Sequence, residues 1–195
     1  MIQFDDLTGL PDVSASPVNN TAGTYLDVAW QGFTLSEKAK PELPDPVESL
    51  KPGLTAQSGP NKITFGFSNP QTLIYGRAVM NTIYAESKVD LIELRKFYFG
   101  CLGSTREGLV NVPLSCDFTA TCNRGDGTKV GPQVFQFRLE TGQLRAGMLP
   151  AEPTGFTRCE DVEFAVEGKS PIPGSTDTIT GGGIDTVSYA ITPKK

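Results

Sequence analysis

The sequence predicts an all-β domain, an antiparallel β-sandwich of the jelly-roll type with long Pro/Gly-rich loops, and three observations carry that expectation. Short alternating runs rich in aromatic and β-branched residues, about eight to ten in all, recur between turn clusters without any βαβ alternation. The 195 residues include 21 glycines and 15 prolines, which punctuate the stretches between those runs. The first and last strand-like runs, 2–7 and 183–189, each carry an acid just after an apolar residue, as neighbouring strands at the closure of a sandwich would. A chain of this length buries a substantial core, and 1–195 is read as one domain.

The elements follow in order. After the first strand, 8–23 is a turn-rich connection with Pro11 and Pro17, and 25–35 is a second strand dominated by aromatic and β-branched residues. Residues 36–61 hold Pro41, Pro44, Pro46, Pro52 and Pro60, a density that breaks regular structure and predicts a long Pro-rich surface loop, packed as a flap. Ile63, Phe65 and Phe67 fall on one face of a third strand by simple alternation. Residues 73–85 read as one bent or two short strands, and 89–99 fits either a helix through Leu91, Leu94 and Arg95 or a strand. Consecutive aromatics favour strand for 97–101. Residues 112–122 alternate, Asp126-Gly127 signals a hairpin turn, and 130–139 answers across it. A strand over 155–166 and a Pro/Gly/Thr loop over 170–183 precede the last strand.

Composition excludes several classes of function. A net charge of −5 without a basic cluster argues against nucleic acid. No apolar run reaches the length of a membrane span. The chain has no histidine, which removes Ser-His-Asp and Cys-His relays and His-ligated zinc, and no other catalytic constellation replaces them, so the expectation is that the protein is not an enzyme. Cys101, Cys116, Cys122 and Cys159 lack metal-site spacing and read as two disulfides. Of the three connectivities, Cys101–Cys116 with Cys122–Cys159 is favoured, because the first closes a compact hairpin and the second ties two later strands. Disulfides imply a secreted, extracellular protein, and the missing leader ahead of Ile2 is read as a removed signal peptide. Asn19-Asn20-Thr21 makes Asn19 a candidate N-glycosylation site.

Adjacent terminal strands would bring Asp5 or Asp6 near Asp185 in an oxygen-rich pocket suited to structural calcium; the plainer reading is three solvated strand-end acids. A sugar-binding face needs exposed rings flanked by polar groups, and the candidates are Tyr25, Trp30, Tyr75 and Tyr84 with Arg77 and Asn81. Alternation would put Tyr75, Arg77, Val79 and Asn81 on one face, whereas a lone strand Trp is more often a core anchor. Arg124-Gly125-Asp126 spells an integrin-type tripeptide, but its Asp-Gly is explained by the turn. Asp161 and Glu163 share a strand face, which for a carboxylate pair more often means a solvated side than glycoside cleavage.

Read together, Phe4-Asp5-Asp6-Leu7, the segment 23–33, Phe97-Tyr98-Phe99-Gly100-Cys101, Pro113-Leu114-Ser115-Cys116 and the Ile184-Asp185-Thr186-Val187 finish resemble an FDDL-type family of secreted fungal proteins. These in turn resemble jelly-roll, galactose-binding-like carbohydrate-binding modules, and the similarity spans most of the chain in order. The resemblance implies a structural calcium held by an acid on the first strand and one on the last, matching Asp5 and Asp185 with Asp6 as the neighbour that could substitute. It implies recognition of a cell-wall polysaccharide; the alternative is an apoplastic effector-like protein whose partner is a host or fungal surface protein.

Overall fold

The structure, a computed structural model, describes residues 1–7, 21–37, 53–59, 61–66, 69–105, 108–140, 143–168 and 178–195. Asn19 and the segments 38–52 and 170–177 lie outside the described residues. The strands are β1 (Thr21–Tyr25), β2 (Val28–Glu37), β3 (Gly53–Thr55), β4 (Asn61–Gly66), β5 (Ala78–Asn81), β6 (Val89–Thr105), β7 (Gly108–Pro113), β8 (Cys116–Arg124), β9 (Lys129–Phe137), β10 (Arg145–Gly147), β11 (Leu149–Ala151), β12 (Cys159–Gly168) and β13 (Thr178–Pro193). A short helix, α1 (Pro70–Tyr75), and a 3-10 turn at Phe4–Asp6 complete the described elements.

The fold is all-β and almost wholly antiparallel, with β3–β10 a short parallel pair apart from the main sheet. The main sheet runs β6-β13-β4-β2-β5-β12, and Cys159 of β12 pairs back with Ile92 of β6. That bridge closes six strands into a barrel where a two-sheet sandwich was expected. β8 and β9 continue from β12 as a wing, and the β8–β9 hairpin turns at Asp126-Gly127 with Gly127 at φ 81°.

The interior explains the strand patterns. In β8, Cys116, Phe118, Ala120 and Cys122 are buried while the residues between them are half-buried. Phe33, Phe65, Phe97, Phe99, Phe118 and Phe164 form a chain of ring contacts with centroids 4.9–6.1 Å apart, many edge-to-face. Burying each such ring stabilises the fold by about 1.5–3 kcal/mol before the entropic cost of ordering the chain. β6 places Ile92, Leu94, Phe97 and Phe99 inward, with a step of three in the middle where its register with β13 shifts. That bulge is why 89–99 carries a helix-like spacing although it is strand.

Three expected elements differ. The run 25–35 is split by a two-residue turn at Leu26-Asp27, both at positive φ (48° and 64°), so β1 folds back on β2 with Tyr25 opposite Val28. A two-residue hairpin needs that backbone, and neither residue announces it. Within 73–85, Pro70 and the Asn69 cap start a helix that a left-handed Gly76 ends, in place of the first strand expected there. Within 170–183, β13 already begins at Thr178, where it pairs with Thr105 of β6, and Phe65 and Phe118 pack over Gly182 where a Cβ would collide. Of the expected loop 36–61, the described part includes β3, whose Leu54 is buried against Gly100 and Gly183.

Both disulfides join as the spacing favoured: Cys101–Cys116 (Cα–Cα 6.2 Å) links β6 to β8, and Cys122–Cys159 (5.4 Å) links β8 to β12. All four half-cystines are buried. Among the described residues no helix is long and apolar enough to cross a membrane.

Candidate functional sites

The two chain ends meet. Ile2 pairs with Val187 through hydrogen bonds of 2.5 and 2.8 Å in both directions, although 4–6 form a 3-10 turn and not the strand expected. This brings Asp5 against Gly59 and Asn61 and Asp185 against Ser58. The Asp185 carboxylate, fully buried, accepts from the Ser58 N–H (2.7 Å), the Ser58 hydroxyl (3.1 Å) and the Thr186 N–H (2.6 Å). Asp5 accepts from the Asn61 N–H at 3.2 Å and lies against Gly59, occupying the space a Cβ would need. Asn61 Nδ2 donates to the carbonyls of Phe4 (2.9 Å) and Leu7 (2.7 Å).

Burial pushes the Asp185 carboxyl above its usual range; hydrogen bonds from Ser58 and Thr186 oppose that shift, and the negative charge of Asp5 adds to it. Two buried oxygens in this latch, Asn61 Oδ1 and Thr186 Oγ1, have no hydrogen-bond partner. Asp6 takes a different partner, the Tyr25 hydroxyl. Among the described residues no group of three or more His, Cys, Asp or Glu side chains converges.

A second cluster surrounds the 26–27 turn. The Tyr25 hydroxyl donates to Asp6 and reaches the Gln3 carbonyl at 3.1 Å, while the Tyr25 ring lies 5.8 Å from Phe4. The Tyr189 hydroxyl donates to the Leu26 carbonyl at 2.6 Å. Burial, then the Asp6 hydrogen bond and the charges of Asp6 and Asp5, push the Tyr25 phenol up to about 12. Burial and then the charges of Asp27, Tyr25 and Tyr84 push the Tyr189 phenol well above its usual value. Tyr84 is half-buried. Of this cluster the sequence singled out Tyr25 and Tyr84. Tyr189 and Asp27 were missed, because a tyrosine in a last strand and an acid in an unrecognised turn carry no local signal.

The other sugar-face candidates do not assemble. Trp30 is fully buried, 5.2 Å from Phe4 and 5.7 Å from Phe33, and serves the core. Tyr75 ends α1 and is exposed, but Val79 and Asn81 are buried, so the expected Tyr75-Arg77-Val79-Asn81 face does not exist. The helix breaks the alternation on which it depended. Asn81 Oδ1 instead accepts from the Ile83 N–H at 2.9 Å, and Arg77 lies 3.7 Å from Glu163. Asp161 accepts from Asn123 Nδ2, so neither acid of the Asp161–Glu163 pair is without a partner. In the Arg124-Gly125-Asp126 turn, Arg124 holds the carbonyls of Gly155 and Thr157 (3.1 Å each) and Asp126 accepts from the Thr128 N–H and hydroxyl. No family model matches this chain, and no curated protein matches it.

Proposed function

We propose that the protein is a secreted, non-catalytic domain that binds carbohydrate, recognising a cell-wall polysaccharide. The observation that supports this reading is the gathering of Tyr25, Tyr84 and Tyr189 with Asp27 around one surface turn of a disulfide-braced barrel. Phenol rings offer flat apolar surface to the axial hydrogens of a pyranose, and carboxylate and phenol oxygens meet its hydroxyls. The barrel is then a jelly-roll variant whose two sheets meet along the β6–β12 seam. Retention of the protein on insoluble cellulose, xylan, chitin or β-1,3-glucan, with calcium present, tests it. Retention that Tyr84→Ala abolishes is the expected result; absence from every polymer removes the reading.

The latch is proposed to hold a structural calcium through Asp5 and Asp185. The buried Asp185 carboxylate feels the charge of the half-buried Asp5, and among the described residues the buried amide oxygen of Asn61 has no hydrogen-bond partner, the kind of neutral ligand a hard cation takes. The ion would fix the chain ends to the 58–61 segment and would supply no chemistry. A second reading, a protein-binding role, is favoured by one observation: α1 exposes Leu73 (63%), Ile74 (63%) and Tyr75 (50%) in succession. Loss of a partner on Leu73→Ser with polysaccharide binding absent would move the function there.

A further inference from the structure

We infer that the 26–27 turn with Tyr84 and Tyr189 is a subsite for a cationic amino sugar, so that the preferred polymer is one bearing free ammonium groups. The inference rests on the carbohydrate reading above and narrows its ligand class. Its geometry comes from register. Ala29 of β2 faces Asn81 of β5 in an antiparallel pair, so the Leu26-Asp27 turn and the residues that follow Asn81 leave the β2–β5 pair at the same end. The Tyr189 hydroxyl fastens β13 to the same turn at the Leu26 carbonyl. One end of the β2–β5 pair thus carries the turn, the Tyr189 hydroxyl that holds it and the start of the Ile83-Tyr84 segment.

The surface so formed is apolar, aromatic and negative. Leu26 is 52% and Ile83 65% exposed, and Tyr84 and Tyr189 are half-buried beside them. Asp27 is exposed and, among the described residues, its carboxylate has neither a hydrogen bond nor an ion pair. Of the acids at this surface, Asp27 is the one whose charge bears on the Tyr189 hydroxyl. The whole chain carries 22 acidic against 17 basic residues. Ring faces attract cations through their quadrupole, and a free carboxylate beside them adds a charge-assisted hydrogen bond. A uronic acid would be repelled by the same groups, and a fully acetylated amino sugar would offer Asp27 an amide where an ammonium could pair.

The test is calorimetric binding of chito-oligosaccharides in two forms, fully deacetylated and fully N-acetylated, at a pH where the free amines are protonated. The deacetylated oligomer is expected to bind about tenfold tighter, the size of one exposed cation–π contact with its carboxylate partner. Asp27→Asn is expected to erase that preference without disturbing the turn, since Asn adopts positive φ as readily as Asp. Glu167→Gln, the same loss of charge on the β12 strand, is expected to keep it. Equal weakening by both variants would reduce the preference to general attraction between an acidic protein and a polycation and overturn the inference. Tighter binding of the acetylated or another neutral oligomer, lost in Tyr84→Ala, would overturn it while leaving the carbohydrate reading in place. Binding of no oligomer, neutral or cationic, together with absence from the polysaccharide panel would remove both.

Discussion

The barrel is closed in two places by opposite means. At the β6–β12 seam, Cys159 pairs with Ile92 through the backbone while its disulfide to Cys122 ties β12 to β8, so the closure is apolar and braced covalently from the β8 side, with all three side chains buried. At the chain ends, Ile2 and Val187 pair beside a polar network in which Asp5 and Asp185 share the 58–61 segment. The seam depends on nothing in solution. The latch concentrates negative charge and two unpartnered oxygens in a buried place, so its strength varies with what surrounds it. The difference shows that one architecture holds both a permanent and a conditional closure, and that the conditional one lies where the termini must be held.

Removing the disulfide that braces the seam gives the largest expected effect. Replacing Cys122 and Cys159 together by Ala costs about 2–5 kcal/mol in chemical unfolding. It should exceed loss of Cys101–Cys116 by about 0.8 kcal/mol, because the loop it closes spans 37 residues against 15. A latch loaded with calcium sharpens the contrast. At a hundredfold excess over Kd the ion adds about 2.7 kcal/mol, so chelation should lower Tm by several degrees in the native protein and by nothing in Asp5→Asn. An unchanged Tm on chelation would remove calcium from the latch.

Asn61→Ala strips the donors from the Phe4 and Leu7 carbonyls and should cost about 1–3 kcal/mol, read as a shift in the urea midpoint. A cost near zero would mean that the latch adds little beyond the Ile2–Val187 pairing. The smallest effect concerns the turn cluster. The Tyr25 phenol has its pKa raised from 10.0 to about 12, so the folded protein holds a proton that the unfolded chain releases. The associated stability is complete below pH 10 and is lost as pH climbs toward 12. Absorbance titration should show this phenol ionising above the ordinary phenol range, and Asp6→Asn should bring it earlier.

Much of the fold was legible because β structure writes itself as alternation. Cys116, Phe118, Ala120 and Cys122 show it without interruption, and Asp126-Gly127 names its own turn. Legibility failed where a local device changed the period. The β6 bulge gave a strand a helical spacing, Leu26-Asp27 turned without glycine, and α1 replaced a strand because the Asn69 side chain and Pro70 start a helix. The candidate sites followed the same division. The terminal acids were visible because first and last elements of a closed β fold meet, whereas the face through Tyr75 and Asn81 assumed an alternation that the helix interrupts.

The amino-acid sequence by itself determined the all-β class, the pairing of the four cysteines and the meeting of the chain ends, because each depends on local period, spacing or chain order. Tertiary structure alone decided that the sheet closes into a barrel, that Asn81 is buried away from Tyr75, and that Tyr189 reaches the turn at Leu26-Asp27. Those outcomes depend on strand register between segments as far apart as Leu26 and Tyr189, and register is set by the sum of many weak side-chain contacts across the barrel, which no local stretch of sequence contains.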